Sequence, residues 1–497
     1  MAKIIVIGGG VIGCAVAREL TAFDAEVTVL EKSNDVATGT SKANSGIVHA
    51  GFDAHPGTLK AKFNVLGARI MESEAKTLDF PFRRNGAFVL NFDADGNKKL
   101  EELKAQGELN GVEGLRIMSG DEVREMEPEV SGEVVSALYA PSSGIVGPYE
   151  MTIAYAENAA HNGAKFAFGA CVTGVEKAAK GFTVTTADGK EYECDAVVNC
   201  AGVHSDDINN AICEEKERIV GRKGEYMLLD KSCGGLAYAT LFQLPTAMGK
   251  GVLVSPTVHG NIIVGPTALD VPDRDDTDTT PDGLNSAWNQ AAKSVPSLNR
   301  RMIITQFAGV RAHNPKNDFI VGESNVPGFF NALGVESPGL TSAPAIGKYL
   351  AAEVAKRLNL GKNAAFNPYR TGIKAFSSMT DGEREGHGTS VVMHISDEES
   401  EYLEKFKIEG GLPLRSGYRG RNRGRDSSHA WRRRPRRTET PHARRHGQMS
   451  GRLLHAAAYG NSGSRNGHGL HRDFQEGQRL GNRGGQDGLA RGKGELT

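Results

Sequence analysis

The opening segment Lys3–Leu20, KIIVIGGGVIGCAVAREL, constrains the fold more than any other part of the chain. Lys3–Ile7 is a short apolar run of the buried-strand kind, and Val11–Phe23 brings Ala and Leu back at helical spacing, so a glycine turn joins a strand to a helix. Gly8, Gly10 and Gly13 form G-x-G-x-x-G in that turn. The first glycine permits the tight turn, the second lets the backbone approach a pyrophosphate, and the third lets helix and strand pack closely. The helix start, with Val11 and Ile12, offers unpaired N–H groups and partial positive charge to phosphates. A second strand, Glu26–Leu30, ends in Glu31, followed by Lys32; a carboxylate about 20 residues past the turn accepts from a ribose hydroxyl and repels a 2′-phosphate. FAD or NAD fits this arrangement and NADP does not.

Three further features favour FAD. The loop TGTSKANSGIVHAG supplies small residues and the hydroxyls of Thr40, Ser41 and Ser45 where an extended cofactor would cross the sheet. VNCAGVHS places Ala201 and Gly202 at a strand end, where the chain must pass something bulky. GVESPGLTSAPAIG opens a late helix whose amides at Gly339, Leu340 and Thr341 could face the edge of a reduced, anionic flavin.

The remaining periodicity predicts an α/β chain: a discontinuous Rossmann-like FAD-binding domain and an antiparallel-sheet substrate domain. The first is read from 1–80, 145–215 and 326–370, the second from 81–144 and 216–325, followed by a linker at 371–410 and a tail at 411–497. Helices are expected at Lys60–Lys76, Asp121–Glu129, Met151–Asn162 and Leu284–Lys293. Strands are expected at Phe82–Phe92, Lys165–Val175 and Gly181–Thr186, and through the β-rich stretch Ile219–Pro266.

Charge divides the chain. From Gly411 onward there are 19 Lys+Arg against 6 Asp+Glu, so the first 410 residues carry −14 although the whole carries −1. The tail, with RGRNRGRDSSHAWRRRPRR at its start, has the composition of a disordered segment, and its charge would suit nonspecific phosphate binding. A cofactor-holding nucleic-acid-binding protein is therefore the alternative of a different class. All six cysteines, Cys14, Cys171, Cys194, Cys200, Cys213 and Cys233, lie in the first half without metal-ligand spacing, as expected of reduced thiols in a cytoplasmic protein. No apolar run reaches the length of a membrane span, which leaves peripheral association with the inner face of a membrane open. No metal site is expected: the histidines lack i, i+4 spacing and companion ligands.

At these motifs the chain resembles the D-amino-acid-oxidase-like FAD oxidoreductases, from Lys3 to about Tyr369. SKANSGIVHAGFDA, SPTVHGN and the Ala-Pro-rich late helix resemble bacterial anaerobic glycerol-3-phosphate dehydrogenase-like proteins. The NSGIVHAG loop, FAGVRA and ESPGLTSAPAIG are similar to L-2-hydroxyglutarate dehydrogenases. The resemblance implies FAD, removal of hydride from a carbon bearing a hydroxyl on a small anionic substrate, and electrons passed to a quinone or iron–sulfur acceptor. It also matches Asn44 and Gly46 in the cofactor loop, places Val172 where a backbone contact to adenine is expected, and matches Arg311 to an arginine that binds the substrate's anionic group.

An arginine suits that task because its planar fork grips phosphate or carboxylate in two places. Arg222 with Lys223 is a second basic pair, equally readable as an ion-pair partner. Tyr226 is a candidate for hydrogen bonding to substrate, or an ordinary half-buried strand tyrosine. His49 is the preferred base because imidazole titrates near working pH, with orientation of the flavin as its other reading. His259 is read as structural, and His204 as a helix cap or cofactor contact.

Relatives in the dehydrogenase-like group often end in a domain resembling bacterioferritin-associated ferredoxin that binds a [2Fe–2S] cluster. PLRSGYRGRNRGRDSSH, written back into permissible codons and read one nucleotide later, can yield RCEVVTEGEIVGAIH, and the same offset can turn HGQMSGRLLHAAAY into MGRCQAGFCTPRL. The expectation is a reading-frame slip between about Ser396 and Gly411, with the Arg/Gly bias as its by-product and no specific nucleic-acid partner. As written, the chain has no cysteine after Cys233 to ligate such a cluster.

Overall fold

The computed structural model describes residues 1–93, 95–244, 251–373 and 380. The expected linker beyond these positions, the basic tail and the frame slip lie outside the described residues.

Ala2–Ile7, apolar at every position from Ile4, becomes the central strand of a six-stranded sheet. The order is Ile320–Glu323, Phe329–Leu333, Ala196–Asn199, Ala2–Ile7, Ala25–Glu31, Lys165–Phe168. All neighbours run parallel except the first pair. Both faces of this sheet are covered, as a parallel sheet requires. Ile4 and Val6 face one way, into a core with Val16 and Leu20 of helix α1 (Val11–Leu20). Ile5 and Ile7 face the other way, against Val175, Phe182 and Val184 of a small antiparallel sheet (Val172–Lys177, Phe182–Thr186, Glu191–Cys194).

The other helices are α2 (Leu59–Leu78), α3 (Gly96–Leu109), α4 (Gly120–Met126), α5 (Pro148–His161), α6 (Ser205–Ile212), α7 (Pro281–Ser294) and α8 (Gly339–Leu358). In α8, Ile346, Leu350 and Val354 recur every fourth residue and are fully buried on the α1 side of the sheet. Burial of each such side chain is worth about 1.5–3 kcal/mol. No helix among the described residues is long and apolar enough to cross a membrane.

A nine-stranded sheet draws on Ala87–Asn91, Arg116–Ser119, Ser136–Ala140 and strands between Val220 and His313. It is antiparallel except where Thr240–Gln243 pairs in parallel with Ala87–Asn91; those two segments are far apart in the chain, so no hairpin dictates their direction. Its long strands Val220–Leu229 and Ile303–His313 pair antiparallel along their whole length.

Several elements differ from the sequence expectations. Lys165–Val175 is two strands in different sheets, Lys165–Phe168 and Val172–Lys177, because Gly169 turns the chain at φ 67°. Phe82–Phe92 likewise divides at Gly86, φ 72°. Helix α3 was not expected: among its residues only Gly96, Leu100 and Gly107 are buried, too narrow a stripe to register as periodic. Helix α7 starts three residues before its expected position, at Pro281, because the Thr280 side chain accepts from the Gly283 amide (3.1 Å) and proline fits a first helical turn.

Candidate functional site

The glycine turn sits at the carboxyl end of Ala2–Ile7, where open α/β sheets bind their ligands. Gly8 adopts φ 104°, and a Cβ there would lie 2.5 Å from the Cys200 carbonyl oxygen. A Cβ on Gly13 would lie 1.9 Å from the Gly8 oxygen, so no other residue fits. Val11 is buried at the start of α1 and its amide donates to Ser41 Oγ (2.9 Å), while Ile12 packs into the cores on either side. Glu31 Oε2 accepts the Gly9 amide (2.6 Å) and Oε1 the Ser33 amide (2.9 Å). A carboxylate has about four acceptor positions, so this one retains capacity for a ribose hydroxyl.

The loop after Glu31 reaches the nine-stranded sheet. Thr40 Oγ1 donates to the Val310 carbonyl, and the Asn44 side chain closes the loop on itself through Thr40 O, Ser41 O and the Gly46 amide. Ser45 is half-buried beside them, and Gly46 turns at φ 67° into the short strand Ile47–Val48. Opposite, Pro338 precedes α8. The amides of Leu340 and Thr341 belong to its first turn and have no intrahelical acceptor, whereas the Gly339 amide already donates to the Glu336 carbonyl. Glycine turn, acidic strand end and helix start are the groups that could hold the phosphates, ribose and flavin edge of an extended dinucleotide.

Other expected cofactor residues surround this region. Ala201 and Gly202 form the turn after Ala196–Asn199, with Gly202 at φ 60°. Val172 opens its strand and packs against the cluster that contains Leu30. Lys32 Nζ pairs with Asp275 (3.0 Å), and His204 Nε2 meets the same carboxylate (3.1 Å). His204 precedes α6, yet its ring makes no cap; it bonds Asp207 and Asp275 instead. Neighbouring Arg274 binds Asp206, Asp207 and the Val203 carbonyl. This acidic strap from the nine-stranded sheet was not anticipated, since DRDDTD reads in sequence as an ordinary solvated loop.

The substrate candidates gather on one face of the nine-stranded sheet. Arg222 and Arg311 are directly opposed across the paired long strands, as are Tyr226 and Phe307, and the rings of the latter pair stack at 5.0 Å. Tyr226 is buried, and burial pushes its phenol up. Arg222 is held bidentately by Asp270 (2.6 and 3.1 Å). Arg311 donates only to carbonyls, Thr267 O (2.8 Å) and Arg222 O (3.3 Å), and among the described residues no carboxylate lies within ion-pair range of it. The expected basic pair Arg222–Lys223 is split by the alternation of the strand. Lys223 faces the other side, 4% exposed, against Asp276 (2.6 Å) and the Asp278 carbonyl.

His49 reaches the same face. Its ring stacks on Phe242 (5.7 Å between centroids), its amide donates to Thr341 Oγ1 (3.0 Å), its carbonyl accepts from Asn64 (2.6 Å), and Nε2 lies 3.3 Å from Ser337 Oγ. Helix α2 can lie this close because Gly67 has no Cβ, which would fall 1.9 Å from the Thr341 oxygen. Phe242 and Ser337 carried no sequence signal as partners of His49; only tertiary contact reveals them. His259 lies apart from this group, its Nε2 on Glu150 (2.9 Å), and that hydrogen bond raises its pKa.

Comparison with known proteins identifies the family. A family model described as FAD dependent oxidoreductase matches residues 3–353. The chain is 45% identical to a glycerol 3-phosphate dehydrogenase of Caloramator mitchellensis over 388 residues, covering 77% of this chain and 80% of that protein. It is 29% identical to the mitochondrial L-2-hydroxyglutarate dehydrogenase of Arabidopsis thaliana over 398 residues, 70% of this chain and 82% of that one. Its fold is similar to the solved structure of dithionite-reduced L-alpha-glycerophosphate oxidase from Mycoplasma pneumoniae with FAD bound: TM-score 0.71, 32% identity, 76% of this chain and 100% of that one. With the glycine turn, Glu31 and the α8 start in place and the family model spanning well over half its length, the chain belongs to the FAD dependent oxidoreductase family.

Proposed function

We propose that the chain oxidises the CH–OH carbon of glycerol 3-phosphate. The observation that carries this reading is the seat of Arg311: a partly buried guanidinium held by carbonyls and in direct ion-pair contact with no described carboxylate, on the sheet face that His49 also reaches. Such a group demands an anion, and a phosphate satisfies its fork in two places. Identity to the Caloramator dehydrogenase supports the phosphate.

Gly8 to Gly13 would hold the cofactor's phosphates, Glu31 its ribose, and the α8 start its flavin edge. FAD, when bound, supplies the hydride acceptor. The protein's own work is then to bind, orient and deprotonate. Arg311 fixes the phosphate, and the buried Tyr226 helps wall the site. Asp270 neutralises Arg222, which makes that arginine an orienting residue more than a second anion site. His49 takes the hydroxyl proton, its ring held in plane by Phe242 and by Ser337.

L-2-hydroxyglutarate is the second reading, favoured by the NSGIVHAG loop and by similarity to the Arabidopsis enzyme. Electrons would leave to a quinone or an iron–sulfur acceptor. Purified protein should be yellow, and its absorbance should bleach anaerobically with glycerol 3-phosphate ahead of L-2-hydroxyglutarate in a panel of hydroxy acids and polyol phosphates; an unreactive panel would overturn the reading. A nucleic-acid role for the tail predicts salt-sensitive heparin retention that disappears on truncation at Gly411. We expect no such dependence to be specific for sequence.

A further inference from the structure

A lysine, a glutamate and a histidine with no part in the proposed chemistry are buried together beside it. Lys60 of α2 and His313, two residues beyond Arg311, both bind Glu336 Oε1, at 2.7 and 2.9 Å. All three are at most 13% exposed, and Lys60 also donates to Asn317 (3.1 Å). Burial alone would raise the Glu336 carboxyl, but the hydrogen bond from His313 and the charge of Lys60 outweigh it and hold it down to about 2. Buried ion pairs stabilise little compared with a well-packed apolar substitute; what they can do is fix one arrangement.

The arrangement fixed here is specific. Glu336 precedes Ser337, whose hydroxyl meets His49 Nε2, and its carbonyl receives the amide of Gly339 at the start of α8. Arg311, by contrast, is seated by Thr267 and Arg222 carbonyls that do not involve Glu336. We propose that Glu336 is a positioning residue: by engaging Lys60 and His313 together it sets the Ser337 turn, and through it the His49 ring, against the strand that carries Arg311. This rests on the reading of His49 as base and Arg311 as anion binder.

The test uses the FAD-loaded full chain and anaerobic flavin reduction over a range of glycerol 3-phosphate concentrations, which separates limiting rate from apparent dissociation constant. Glu336→Gln should lower the limiting rate about 10- to 100-fold, because small misplacement of a reacting group is costly. The dissociation constant should change less than about threefold, since Arg311 keeps its seat. Glu336→Asp, which retains the charge on a shorter arm, should recover part of the rate. Should Glu336→Gln fail to retain FAD, Lys60→Gln leaves the His313 bond intact and should lower the rate by a smaller factor at unchanged binding. An unchanged rate in a FAD-retaining variant, or rate and binding lost in equal proportion, overturns the proposal. A wild type that no substrate reduces overturns the functional reading and this inference with it; a reactive wild type beside an equally reactive Glu336→Gln overturns this inference alone.

Discussion

At the glycine turn, the proposed binding falls to backbone: amides at the α1 start, a positive φ at Gly8, and a helix–strand approach that only Gly13 permits. Across the nine-stranded sheet, the proposed binding falls to side chains, and what separates one cation from the next is its partner. Arg222 and Arg311 are opposed on one face, yet Asp270 holds the first and carbonyls the second. Lys223, adjacent in sequence to Arg222, is buried on the opposite face against Asp276. Residue type therefore indicates function at the turn, while in the sheet it is the arrangement of counter-charges that does so.

The largest effect should come from the turn. Gly13→Ala forces a Cβ against backbone that no rotamer can relieve, and overpacking of this kind costs about 1–3 kcal/mol or more. The variant should purify with little FAD and a lowered melting temperature; full FAD occupancy would contradict the backbone account. His49→Asn should retain FAD and lose about 10²–10⁴-fold in the rate of flavin reduction, the usual worth of a general base. A loss below tenfold would assign His49 to orientation of the flavin.

The two arginines sharpen the contrast next. Arg311→Gln should raise the apparent KM for glycerol 3-phosphate about 30-fold or more, as expected for loss of a charge-assisted contact of about 2 kcal/mol or above. Arg222→Gln should act weakly in comparison, because its charge is already spent on Asp270; equal effects would break the distinction.

The legibility of these regions follows the same division. G-x-G-x-x-G with Glu31 is readable because backbone geometry restricts each position to one or a few residue types. In the sheet, period-two alternation already separates Arg222 from Lys223, and reading them as a pair overlooked it. The strap residues Arg274 and Asp275, the Phe242 stack and the Lys60–Glu336–His313 group have no local signature at all. Their partners lie tens to hundreds of residues away, so only the packed chain brings them together. Helix α3 escaped for a different reason, its narrow buried stripe.

Smaller effects concern pH. Glu336 is held below its ordinary value of 4.5, down to about 2, so its contribution to stability is complete above the unfolded value and is lost as pH falls through that window. Glu336→Gln should flatten this part of an acid-unfolding curve. His259 is shifted the opposite way: its pairing with Glu150 contributes fully below the ordinary histidine value of 6.5 and is lost as pH rises through the raised folded value. His259 is exposed and Glu150 partly so, so His259→Gln should change the melting temperature only slightly, and only below the raised folded value.

The central claim is that Arg311, hydrogen-bonded to carbonyls and directly ion-paired with no described carboxylate, selects an anionic alcohol. Its most direct test is the ratio of anaerobic flavin-reduction efficiencies for glycerol 3-phosphate and uncharged glycerol, in wild type and in Arg311→Gln. The account predicts a wild-type preference for the phosphate of about 100-fold or more that largely collapses in the variant; a preference that survives the substitution intact would contradict it.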